Sequence, residues 1–189
     1  MRSPTFAILL TIMKRHLSFE AMETQPNKQK KLAEQFLNGE VSPEVFLSTL
    51  MELDQLEPTR AEALENIRVM EDPQVTDRFV GSDHQAEFYD HLGFFYFHRG
   101  QTLEAEGIGG LPEFKKALTY SQLGGADDDH TADWLRYVGT TIAYLKNDIV
   151  TVRSLYNEND GNAALVRNFI QGLETRGEPN YVEDYRAPR

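Results

Sequence analysis

The sequence predicts an all-α protein, and three observations carry that prediction. Helix punctuation recurs along the chain: N-cap residues, first-turn prolines and Gly or Asn stops bracket segments whose apolar residues return every three to four positions. No window shows the strict apolar–polar alternation of a half-buried strand. Asn38-Gly39 and Asp160-Gly161 are hairpin-type dipeptides, but neither lies between two such windows.

The first helix lies in NKQKKLAEQFLNGE and closes at Asn38-Gly39, a left-handed stop. Ser42-Pro43-Glu44 then supplies an N-cap, a first-turn proline and an acid that the helix dipole favours, opening a helix through about residue 55. Glu57-Pro58 breaks it. Thr59 and Glu62 form a capping box at the head of a third helix, which runs to Glu71 and ends at Asp72-Pro73. Residues 84–99 form the next helix, and GQTLEAEGIGG is a connector. Leu111-Pro112 starts another, ending at Leu123-Gly124-Gly125. Asp127, Asp128 and Asp129 precede a longer helix over 131–146. Asn147-Asp148 turns the chain into a helix over 149–158, and Asp160-Gly161-Asn162 into a last one through 175. Residues 177–189 are rich in turn formers and read as a draped or frayed tail. Short turns make consecutive helices antiparallel neighbours, so pairs should stack.

A chain of 189 residues suits one domain, here a helical unit over 25–176 behind a leader over 1–24. The first nineteen residues carry Arg2, Lys14 and Arg15 and no acid, with an apolar run over 6–13. That run is short of the about 20 residues a membrane span needs. Its basic cluster follows the apolar part and no A-x-A site appears, unlike a secretory signal. The leader reads as poorly ordered or as preceding the true start, Met13 or Met22, with a targeting segment as the other reading. Stable membrane insertion is not expected, and cytoplasm is the default location. The net charge of −11 is spread along the chain, which argues against nucleic acid and favours a basic peptide or protein as partner. With no cysteine, disulfides, thiolate nucleophiles and cysteine zinc sites are excluded.

EFYDHLGFFYFHRG packs six rings into fourteen positions (87–100). On a wheel at about 100° per residue, Phe95, Phe88, Leu92, Tyr96, Tyr89, Gly93, Ala86 and Phe97 share an arc wider than half the circumference. Such an arc suits a helix covered on two sides, so most of these rings are core. Asp90, Glu87, His98 and His91 fill the remainder, with Phe94 among them. In DWLRYVGTTIAYL the apolar arc holds Tyr137, Trp134, Val138 and Ile142. Arg136, Thr140 and Asp133 form the polar one, with Tyr144 at its edge. Trp134 is expected as a core anchor. Gly93 and Gly139 sit mid-helix, where glycine costs about 1 kcal/mol and usually marks a close helix approach.

Tyr89, Leu92, Gly93 and Tyr96, followed by Phe114 and Ala117, resemble the spaced signature of a tetratricopeptide (TPR) repeat. Leu135, Val138, Gly139 and Ile142, followed by Leu155, resemble a weaker second copy. The two glycines lie 46 residues apart (139 − 93) rather than the about 34 of a regular array, so the repeats are degenerate. The resemblance implies antiparallel helix pairs stacked as a short right-handed superhelix, with the first helix of each pair lining a concave groove. Its groove positions would be Glu87, Asp90, Phe94, Phe97 and His98, then Asp133, Arg136, Thr140 and Tyr144. The wheels place most of these outside the apolar arc, Phe97 excepted.

Chemical motifs are sparse. His84, His91 and His98 recur every seven residues, a rise of about 10.5 Å on a helix, so they cannot share one ion unaided. Glu87 and His91 could supply two ligands, with His130 or one of the acids at 127–129 as a third. The acidic run before the 131–146 helix reads as capping and lacks calcium-loop spacing. Gly107, Gly109 and Gly110 follow no strand and precede no Lys-Ser/Thr, against a phosphate loop. No cofactor is implied. The leading expectation is a non-catalytic helical repeat module, adaptor or chaperone-like, that binds a protein or peptide segment. In that groove Arg136 would take a partner carboxylate while Phe94 packs. A metal-dependent helical-bundle enzyme and a self-associating structural module are the alternatives.

Overall fold

The computed structural model describes residues 28–55, 60–125 and 129–186. Among these residues there are ten helices and no strand: α1 (Lys28–Leu37), α2 (Pro43–Gln55), α3 (Arg60–Met70), α4 (Pro73–Phe79), α5 (Gln85–Ala105), α6 (Leu111–Gly124), α7 (Asp129–Leu145), α8 (Ile149–Leu155), α9 (Ala163–Arg176) and α10 (Tyr181–Arg186). The leader, the capping pair Thr59 and Glu62, and the side chains of Asp127, Asp128 and Asp129 lie outside the described residues. No helix among the described residues is long and apolar enough to cross a membrane.

Most stops and starts follow the local chemistry. Gly39 (φ 75°), Gly125 (φ 61°) and Gly177 (φ 76°) occupy the left-handed region after α1, α6 and α9, where a side chain would be strained. Asp72-Pro73, expected only to end α3, also starts α4. The Asp72 carboxylate accepts the Gln74 amide hydrogen at 2.8 Å, and Pro73 sits in the first turn, where its missing N–H is no loss. α4 then buries Val75 and Phe79.

Two expectations are corrected. The connector at 100–110 is mostly helix, because α5 continues to Ala105 and only 106–110 link it to α6. Gly100 does not stop the helix: it is buried, and an added Cβ would lie 3.0 Å from the Phe114 ring. It is a packing residue inside α5 that the sequence reading placed in the connector. The C-terminal tail also contains α10, whose Tyr181 is buried with its ring 5.8 Å from Phe114 and 5.7 Å from Phe169. Gln101 of α5 donates to the Tyr181 hydroxyl at 3.0 Å. Below it, the Tyr144 hydroxyl donates to the buried Asp184 carboxylate at 2.5 Å, and Arg176 pairs with the same carboxylate. The turn formers before α10 bend the chain back; one aromatic ring and one carboxylate then hold it.

α5 organises the core. Phe88 stacks on Phe79 at 4.7 Å, and Phe79 on Phe36 at 5.1 Å, reaching the N-terminal helices. Phe97 meets Phe114, Trp134 and Tyr137 at 5.0, 4.9 and 5.2 Å, reaching the C-terminal ones. The rings of Phe88, Phe95 and Phe97 are fully or nearly fully buried, each stabilising the fold by about 1.5–3 kcal/mol. One continuous apolar cluster therefore runs from α1 to α10.

Glycine sets the α5–α6 approach. A Cβ on Gly93 would fall onto the Ser121 hydroxyl and lie 3.0 Å from the Ser121 amide nitrogen and 3.1 Å from the Ala117 carbonyl. A Cβ on Gly124 would fall onto the Asp90 carboxylate and lie 3.1 Å from the Ala86 carbonyl, and one on Gly110 would fall onto the Gly100 backbone. Residues 86–90, 93 and 100 of α5 thus face 124, 117–121 and 110–114, so the two helices run antiparallel. Gly139 does not repeat the device, contrary to the sequence expectation: its added Cβ would meet only Leu155 Cδ1, at an ordinary 3.5 Å. Gly93→Ala should therefore destabilise by about 1–3 kcal/mol, through overpacking against α6 backbone. Gly139→Ala should stabilise by about 0.5–1 kcal/mol, from helix propensity with no steric offset. Urea melts of the two variants read both signs directly.

Candidate functional site

A cleft of about 390 Å³ opens between α5 and α7, closed on one side by α2 and on another by the turn before α9. Asp90, His91 and Phe94 of α5 form one wall; Thr131, Asp133 and Trp134 of α7 form the facing one. Met51 of α2 and Gly161-Asn162 complete it. Phe94 and Trp134 place their ring centroids 5.4 Å apart at a 40° tilt, an angled apolar surface beside two carboxylates.

Each wall is held from behind. Trp134 Nε1 donates to the Ser121 hydroxyl at 2.9 Å, which fixes the indole edge to α6 and leaves a ring face beside Phe94. Phe94 rests on the His98 imidazole, centroid to centroid 4.2 Å. His98 in turn donates from Nδ1 to Asp54, a carboxylate only 2% exposed, whose other oxygen accepts from Asn66 Nδ2 at 3.3 Å. Asp54 thereby sets both the ring orientation and the tautomer of His98. His91 donates from Nδ1 to the Glu87 carbonyl at 2.8 Å.

Arg136 fixes the floor. It grips Asp160 with two donors, Nε to Oδ2 and Nη2 to Oδ1, both at 2.9 Å, and also pairs with Asp133. The bidentate fork ties the 160–162 turn to α7 and lowers the Asp160 pKa, against the opposing effect of burial.

Six of the nine sequence-predicted groove residues are at or next to this cleft, in different roles. Asp90, Phe94 and Asp133 line it. His98 supports Phe94 and is tied to α2. Arg136 is not available to grip a partner carboxylate in the way expected, because its fork already holds Asp160. Glu87 lies beyond the lining, exposed, with its carboxylate 3.6 Å from His84. The other three are corrected to interior residues: Phe97, Thr140 and Tyr144 are 2%, 1% and 0% exposed. Phe97 packs on Phe114 of α6 and Tyr137 of α7, whereas Tyr144 is covered by α9 and α10, stacking on Phe169 at 4.2 Å and donating to Asp184. Trp134 packs against the core, on Phe97 and Tyr137, and lines the cleft as well. Sequence reasoning missed Met51, Thr131, Gly161 and Asn162 as lining residues. Their chain positions, on other helices and in a turn, carry no signal of convergence.

The metal alternative finds a different arrangement. Glu87 turns to His84 and offers His91 only its main-chain carbonyl. Among the described residues no three His, Asp or Glu side chains group as metal ligands would. No protein-family model, curated protein or solved structure matches this chain.

The Arg136–Asp160 pair has a pH signature. A carboxylate whose folded pKa is depressed adds stability that is complete above its unfolded value of about 4 and lost as pH falls through the folded value. Arg136→Ala should cost about 1 kcal/mol near neutrality. Below pH 4 its melting curve should converge on that of the wild type. Thermal denaturation as a function of pH checks the convergence.

Proposed function

We propose that this chain is a non-catalytic helical module that binds a protein or peptide segment in the α5–α7 cleft. On this reading the helices pair and stack as a degenerate TPR-like superhelix, with α5 and α7 as the first helices of successive pairs. The observation that supports the reading most is the cleft itself. Rings from two helices, Phe94 and Trp134, stand partly exposed beside polar groups, although the core has buried positions for so many others. Aromatic anchors in a concave, polar-rimmed surface are where binding energy concentrates in peptide recognition.

The test is selection of short random peptides by display on the full-length protein, with a Phe94→Ala variant as counter-selection. Wild type should enrich sequences that the variant releases. The variant should melt close to wild type, because Phe94 is only half-buried, whereas Phe88→Ala at a fully buried position should cost about 3–5 kcal/mol. Failure to enrich any sequence beyond the Phe94→Ala control would remove this function from the cleft.

A further inference from the structure

We propose that the side chain the cleft receives is cationic, a lysine or arginine presented by a peptide partner. The inference rests on the cleft being the binding surface and adds the chemistry of its occupant.

The walls fit an alkyl stem with a charged end. Phe94, Trp134 and Met51 provide apolar surface for the methylenes, and the tilted ring pair offers π faces to a cation. Asp90 and Asp133 stand on opposite walls. Counting Asp160, which braces the floor, three carboxylates stand in or beside the cleft with one guanidinium, that of Arg136, which pairs with Asp133 and Asp160. The sum is 3 × (−1) + 1 = −2, and hydrogen bonds already made by these groups do not cancel it.

Charge then decides between occupants. A neutral side chain would strip water from the two lining carboxylates and give nothing back, a desolvation cost that apolar contact with two rings does not clearly exceed. An ammonium or guanidinium replaces that water with opposite charge. The chain as a whole carries −11, which steers basic segments toward it. At the other rim Asn162 is the N-cap of α9, yet its side chain makes no capping bond. Asn162 lines the cleft, and its carboxamide can donate to and accept from a partner's main chain.

The experiment separates this inference from the reading beneath it. Peptides enriched on wild type and lost on Phe94→Ala should share a Lys or Arg. Affinity of the best one is read from Trp134, the single tryptophan of the chain and part of the cleft wall, by its fluorescence. Replacing that basic residue by citrulline, for arginine, or by norleucine, for lysine, should weaken binding at least about tenfold. Asp90→Asn should weaken the charged peptide and leave the neutral analogue unchanged. Enriched peptides without a basic residue, or neutral analogues that bind equally well, would overturn the cationic assignment and leave the cleft as the binding surface. No enrichment at all would overturn both. The peptide substitutions leave the protein intact, so the outcome does not depend on how Asp90→Asn folds.

Discussion

The arrangement depends on one helix being covered from two sides. α5 carries rings around more than half its circumference, and a helix with so wide an apolar arc cannot remain at a surface. Phe88 stacks on Phe79 of α4, which meets Phe36 of α1 and Phe46 of α2; Phe97 meets α6 and α7, and Phe114 of α6 carries the contact on to Tyr181 of α10. The two halves of the chain are therefore joined through the aromatic interior of a single element, and the apolar cluster has no break between them.

Close approach and wide coverage have to be satisfied together, which is where the small residues enter. α6 and its N-cap Gly110 lie against Gly93 and Gly100 of α5, with Ala117 and Gly124 also at the contact, near enough that hydroxyl, carboxylate and carbonyl groups occupy the space of absent Cβ atoms. Ser121, whose hydroxyl fills the space beside Gly93, also accepts from Trp134 Nε1 of α7, and that hydrogen bond sets the indole that walls the cleft. The cleft opens on a part of α5 that its core-side neighbours leave partly uncovered.

Polar groups hold what the rings do not. Asp54 orients His98 behind Phe94, Arg136 clamps the 160–162 turn, and Asp184 anchors α10 through Tyr144 and Arg176. Each joins elements distant in the chain, 44, 24 and 40 residues apart for His98–Asp54, Arg136–Asp160 and Tyr144–Asp184. Near Glu71 the same pattern recurs: its carboxylate accepts from the Tyr96 and Tyr120 hydroxyls at 2.6 and 3.1 Å, tying the end of α3 to α5 and α6. Burial raises both phenol pKa values, and the adjacent carboxylate raises them further, so both stay protonated donors.

Local chemistry was legible wherever a few neighbouring residues decide the backbone. Eight of the ten helices, the left-handed glycine stops and the aromatic weight of α5 follow from caps, propensities and a 3.6-residue period, which act over one or two turns. Asp90, Phe94 and Asp133 were found as surface positions for the same reason: a wheel sorts faces. It does not say which faces a later helix will cover. Thr140 lies on the polar arc of its wheel and Tyr144 at its edge, yet both are buried, Tyr144 under Phe169 and Asp184; Gly100 falls in a stretch read as connector and Tyr181 in one read as tail, and both are packing. Arg136 reads as a groove cation in one dimension and is bound to Asp160 in three. Periodicity determined which residues form helices and which face is apolar. Only the packing of distant segments determined which polar residues were buried, which were paired, and which were left around a cleft.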